Sequence, residues 1–108
     1  GVERMKVALF WPMPLLQQLE AWATKADASI SWVVQKGWLA GRDVQGPLEA
    51  LVTDELQKLS VFMPIEMAAD VARVATETDK SRSWVVQRAI RHAAAQLDDL
   101  TATAALGR

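Results

Sequence analysis

The chain contains no cysteine and a single histidine, His92. Without thiols, a disulfide frame, a thiolate zinc site and a cysteine nucleophile are all excluded. No apolar run approaches the roughly 20 residues a membrane helix requires. The first residues also lack the charged, apolar, small-residue order of a secretory signal. The expectation is a cytoplasmic protein without membrane contact. A glycine-rich phosphate loop, a carboxylate pair and a serine–histidine spacing suited to hydrolysis are missing too. Neither enzyme activity nor a cofactor or metal is therefore expected. His92 falls on an expected helix with no other ligand type beside it and is read as a surface residue.

What is present suits a globular fold. About half of the 108 residues are apolar and 23% are charged, enough to bury a core in one ordinary domain. Net charge is −1, which argues weakly against a nucleic-acid partner, but its distribution is uneven. Residues 1–42 carry five Lys or Arg against three acids and residues 58–97 carry six against four, whereas 43–57 hold four acids and no base. Both flanking stretches are mildly basic, and the acid is concentrated in the linker and the tail.

The two basic stretches are copies of each other. A shift of 52 positions sets "KVALFWP" from Lys6 on "KLSVFMP" from Lys58, and "SISWVVQK" on "SRSWVVQR". Twelve of 37 positions match without a gap: Lys6, Phe10, Pro12, Ala23, Thr24, Asp27, Ser29, Ser31, Trp32, Val33, Val34 and Gln35. That density means an internal duplication. Two copies are too few for a solenoid and suggest a pseudo-twofold unit.

Each copy reads as strand, helix, helix. The first piece is rich in β-formers and closed by proline, which pushes its neighbour toward β geometry and suits the first turn of a helix. Along it, Val7, Leu9 and Trp11 alternate with Lys6, Ala8 and Phe10, and Leu59, Val61 and Met63 with Lys58, Ser60 and Phe62. One set faces the core. A lone short strand leaves its backbone unpaired, so the two strands are expected to form an antiparallel ribbon with each other. Leu15, Leu16, Leu19, Trp22, Ala23 and Ala26, matched by Met67, Ala68, Val71, Val74 and Ala75, follow helical spacing. That helix should end near Asp27 and Asp79, with Ser29 and Ser81 capping a second one. In the second helices, Val33 and Val85 are expected to face each other, with Gly37 and Ala89 small enough for close approach. The predicted class is thus mostly α with a two-stranded antiparallel β-ribbon. Its organisation is a first unit at 1–42, an acidic linker at 43–57, a second unit at 58–97 and a tail or helix extension at 98–108. Within the linker, Leu48, Leu51, Val52 and Leu56 suit either a short helix or an irregular loop.

The run "KLSVFMPIEMAADVARVATETDKSRSWVVQRAIRHAA" resembles a ribbon-helix-helix domain of the Arc, MetJ and CopG class. "KSRSWVVQRAI" is its most characteristic part, and Lys6 to Arg42 resembles the same domain more weakly. Members normally dimerise to build the ribbon; here two copies in one chain look like a tandem pseudo-dimer, organised like TraY-type proteins. The resemblance implies a monomeric pseudo-dimer that binds double-stranded DNA, with multimerisation on DNA left open, acting as a repressor, an autoregulating antitoxin or a plasmid transfer accessory. It implies a ribbon in the major groove, with Lys6, Ala8, Phe10, Lys58, Ser60 and Phe62 toward the bases. Lysine can donate to guanine, and alanine or phenylalanine can touch a thymine methyl. The two phenylalanines either project outward in this way or fold under the ribbon. It further implies that the start of each second helix clamps a phosphate, through Ser29 and Ser31 in one copy and Lys80, Ser81, Arg82 and Ser83 in the other. Because Ala28 and Ile30 replace the two basic residues, an asymmetric clamp is expected; the competing reading makes Lys80 and Arg82 plain solvated surface.

The five tryptophans are read as packing residues rather than a stacking platform for single strands. Trp32 and Trp38 are the two whose exposure could serve a protein partner; the C-terminal tail is a second such candidate. The alternative function is therefore a scaffold that keeps the fold, has lost DNA binding and binds protein.

Overall fold

Each repeated unit opens with a strand that its own proline stops. In the computed structural model, which describes residues 3–44 and 55–107, β1 spans Arg4–Pro12 and β2 spans Leu56–Pro64. Pro12 sits at φ −61°, ψ 141° and Pro64 at φ −55°, ψ 148°, each directly ahead of a helix. The fixed φ of proline suits that entry, and the N–H it lacks would have had no partner in the first turn. The helices that follow are α1 (Met13–Ala26) and α3 (Ile65–Thr78).

Both helices end on an aspartate in the left-handed region, Asp27 at φ 53° and Asp79 at φ 55°. Aspartate tolerates this conformation better than most residues with a β-carbon. The reversal lets the Ala28 N–H donate to the Ala23 carbonyl at 2.9 Å and the Lys80 N–H to the Ala75 carbonyl at 3.0 Å, closing otherwise orphaned carbonyls. Two residues later Ser29 and Ser81 cap α2 (Ile30–Gly41) and α4 (Arg82–His92). Each cap hydroxyl accepts from the backbone N–H of a tryptophan, Trp32 or Trp84, at 3.0 Å. A cap of this kind is worth about 1 kcal/mol. After α4 the chain breaks at Ala93 (φ −91°, ψ 1°) and resumes as α5 (Ala94–Leu106).

The strands pair antiparallel, with Ala8 opposite Ser60, Lys6 opposite Phe62 and Phe10 opposite Lys58. Among the described residues the architecture is therefore five helices and one two-stranded ribbon. The alternation separates the two faces as expected. Val7, Leu9, Trp11, Val61 and Met63 are buried, and Leu59 is half-buried. The helices pack on that inner face, with α2 against α4 at the centre. Val33 and Val85 both lie in the core. Close approach of the two helices depends on glycine. A β-carbon at Gly41 would stand 1.8 Å from the Ala89 carbonyl oxygen, and one at Gly37 would stand 2.8 Å from Ile90 Cγ1.

Three tryptophans are buried and each indole N–H finds a partner, as buried indoles do. Trp11 donates to the Leu59 carbonyl at 3.1 Å, Trp22 to Asp98 Oδ1 at 2.7 Å and Trp38 to Asp70 Oδ2 at 3.0 Å. The Trp22–Asp98 bond ties α5 to α1, where Leu97 and Thr101 are buried. Residues 98–106 thus belong to a separate packed helix. Asp70 also accepts from Arg42 and from Arg73, each at 2.6 Å, linking α2 to α3. Burial opposes ionisation of Asp70, yet the hydrogen bonds from Arg73, Arg42 and Trp38 outweigh it and hold the carboxyl below its ordinary value.

Trp38, named with Trp32 as a tryptophan whose exposure could serve a partner, is 1% exposed and packs as the tryptophans were expected to. His92, read as a surface residue, is half-buried and its Nε2 is closed off without a hydrogen-bond partner. The helix-or-loop reading of the linker falls mainly on residues 45–54, outside the described residues; Leu56, counted in it, instead begins β2, where pairing with Pro12 extends the ribbon into the expected linker.

Candidate nucleic-acid interface

The outer face of the ribbon carries all six expected base-facing residues. Lys6, Ala8, Phe10, Lys58 and Phe62 are exposed and Ser60 is half-buried. The antiparallel register sets each lysine across from a phenylalanine, with the small Ala8–Ser60 pair between them. Phe10 is 46% and Phe62 50% exposed, so neither ring folds under the ribbon. Arg4 extends the same face, which bears three cations and no acid along its outward positions. Neither lysine is ion-paired among the described residues.

The ribbon is held from behind by the residues that repeat most plainly. Ser83 Oγ accepts from the Phe10 N–H at 2.9 Å, and Gln87 Nε2 donates to the Phe10 carbonyl at 2.7 Å. The same arrangement recurs 52 residues away: Ser31 Oγ accepts from the Phe62 N–H at 2.9 Å, and Gln35 Nε2 donates to the Phe62 carbonyl at 2.8 Å. Serine and glutamine four residues apart lie on one helix face, which lets one helix grip both backbone groups of a single residue. α4 thereby holds β1 and α2 holds β2, so each unit secures the other's strand. A two-stranded ribbon has two edges whose backbone groups need partners, and the grips supply them at the phenylalanines.

Ser31 and Ser83 were expected to meet phosphate. Their hydroxyls accept from the strand backbone, which leaves each hydroxyl proton to donate. Ser29 and Ser81, also expected there, cap their helices through the same kind of acceptance. The two helix starts differ in charge. In the second unit Lys80 and Arg82 are exposed, Lys80 Nζ lies 5.3 Å from the centre of the Trp84 ring, and Arg88 Cζ lies 5.1 Å from it. In the first unit, among the described residues, only Lys36 Nζ stands near the equivalent ring, 5.7 Å from Trp32. Trp84 is 38% exposed, the most open of the tryptophans.

The strand grip was missed from sequence, as was the exposure of Trp84. The signal for the first was the identity of Gln35 and Gln87, four residues after Ser31 and Ser83, at half-buried positions where a polar residue needs a partner. Among the described residues no helix is long and apolar enough to cross a membrane. No protein-family model, curated protein or solved structure matches this chain.

Proposed function

We propose that this chain is a single-chain ribbon-helix-helix pseudo-dimer that binds double-stranded DNA sequence-specifically, with the ribbon in the major groove. The observation that carries the reading is the outer ribbon face, where Arg4, Lys6 and Lys58 stand exposed without an acid among them. A two-stranded ribbon fits the major groove, and cations there meet both phosphates and guanine acceptors. Support for the pseudo-dimer comes from the register. Ala8 lies opposite Ser60, its own counterpart under the 52-residue shift, as a twofold axis through that pair requires. The paired grips on Phe10 and Phe62 follow the same symmetry. Lys80 and Arg82 beside Ser81 and Ser83 would hold the DNA backbone more strongly on one side than Ser29 and Ser31 do on the other. A regulator of transcription or of plasmid transfer is the class of protein this describes.

A second reading keeps the fold for protein binding. The exposure of Phe10, Phe62 and Trp84 favours it, since exposed aromatics are enriched at protein interfaces. Titration of genomic duplex fragments at low and moderate salt separates the two. A DNA binder that contacts four phosphates loses about a hundredfold in affinity between about 50 and 200 mM salt. Absence of binding at the lower salt would leave the protein-binding reading standing.

A further inference from the structure

We propose that Phe10 and Phe62 set the specificity of the ribbon by reading the 5-methyl groups of two thymines about four base pairs apart on opposite DNA strands. The inference rests on the DNA-binding reading and names what the ribbon recognises. A phenyl ring has no donor or acceptor to match a base edge, and the apolar feature on the major-groove floor is the thymine methyl. Both rings stand in water, 46% and 50% exposed, on a face where their immediate cross-strand neighbours are lysines. Their backbones are held in place: Ser83 and Gln87 fix both backbone groups of Phe10, and Ser31 and Gln35 fix those of Phe62. With the backbone already fixed, binding has only the two side-chain torsions of each ring to order, so more of its contact energy appears as affinity.

The spacing follows from the register. Phe62 lies opposite Lys6, four residues along β1 from Phe10, which is about 13 Å at about 3.3 Å per residue. That matches about four base pairs at about 3.4 Å each. Between the rings, Ala8 and Ser60 are small enough to let the ribbon approach the groove floor. Lys58 beside Phe10 and Lys6 beside Phe62 would each address a guanine next to the thymine.

The test selects bound duplexes from a random-sequence pool and then replaces each enriched thymine by deoxyuridine, which removes only the methyl. Two replacements, on opposite strands and about four base pairs apart, should each weaken binding about fourfold, the worth of one buried methyl. Phe10→Ala should become indifferent to one of the two replacements and Phe62→Ala to the other. Both variants keep the backbone groups that the grips hold, and unchanged melting confirms that they fold. Wild-type binding indifferent to every replacement, or variants that keep the wild-type discrimination, would overturn the proposal while leaving DNA binding intact. Failure to bind any duplex at low salt would instead remove the DNA-binding reading beneath it.

Discussion

Replacing Gly41 by alanine should separate α2 from α4 and cost far more than the same change at Gly37. The added β-carbon at Gly41 would stand 1.8 Å from the Ala89 carbonyl oxygen, 2.6 Å from its carbon and 3.0 Å from its Cα. All three atoms are backbone of α4, so no side chain can turn aside. Either the helices move apart by more than an ångström or the last turn of α2 unwinds. Unwinding would disturb Trp38 and Arg42, whose bonds to Asp70 tie that turn to α3. Overpacking a close contact costs about 1–3 kcal/mol, and the rigid obstacle places Gly41→Ala near the top of that range. At Gly37 the obstacles are side-chain atoms: Leu97 Cδ1 at 3.3 Å, a tip that can turn aside, and Ile90 Cγ1 at 2.8 Å. The latter sits next to the β-carbon of a buried β-branched residue and must shift by a few tenths of an ångström. There the gain of about 1 kcal/mol in helix propensity from glycine to alanine offsets much of the strain. Thermal melting should show Gly41→Ala lowered by about 10–15 °C, at about 5 °C per kcal/mol, and Gly37→Ala within about 5 °C of the parent. A Gly41→Ala protein that melts with the parent, or below which Gly37→Ala falls, would refute the close packing of α2 on α4.

The remaining predictions concern the ribbon and the ion pairs. Ser83→Ala should speed hydrogen exchange at the Phe10 amide and leave the Phe62 amide protected, at a cost of about 0.5–1.5 kcal/mol; equal exchange at both would contradict the grip. Asp70→Ala should destabilise by about 1–3 kcal/mol near neutral pH, because it strands the buried Trp38 indole. The Asp70 carboxyl is held below its ordinary value of 3.8, so its ionised form stabilises the fold above that pH and the stabilisation fades as pH falls through the lower folded value. The gap in melting temperature between Asp70→Ala and the parent should therefore narrow below about pH 4; a gap that widens in acid would be wrong for this network. On DNA, Arg82→Ala should weaken all sequences alike and flatten the salt slope by about one unit, whereas Lys58→Ala should remove up to about 1–3 kcal/mol of discrimination at one base position. A change of preferred sequence with Arg82→Ala, or none with Lys58→Ala, would reverse those roles.

The local rules of this fold are written locally and were legible. Pro12 and Pro64 end strands and open helices, Asp27 and Asp79 turn the chain, and Ser29 and Ser81 cap the next helix. The alternation of Val7, Leu9 and Trp11 against Lys6, Ala8 and Phe10 likewise identified the buried face. What escaped depends on contacts between distant parts of the chain. Gln87 meets Phe10 across 77 residues and Trp22 meets Asp98 across 76, and no periodicity within one helix records such a meeting. The break at Ala93 carries neither glycine nor proline, so the start of α5 had no punctuation to read. Trp32 and Trp84 occupy identical motifs, yet only Trp84 is exposed and flanked by Lys80 and Arg88.

The most direct test of the ribbon's assignment is methylation interference on duplexes selected from random DNA. Methylation of guanine N7 marks the major groove alone, where Lys6 and Lys58 are assigned. Loss of binding on N7 methylation at guanines within a short stretch, with no effect from methylating adenine N3 in the minor groove, is the predicted result. Interference confined to the minor groove, or no duplex bound at low salt, would contradict a ribbon that reads DNA.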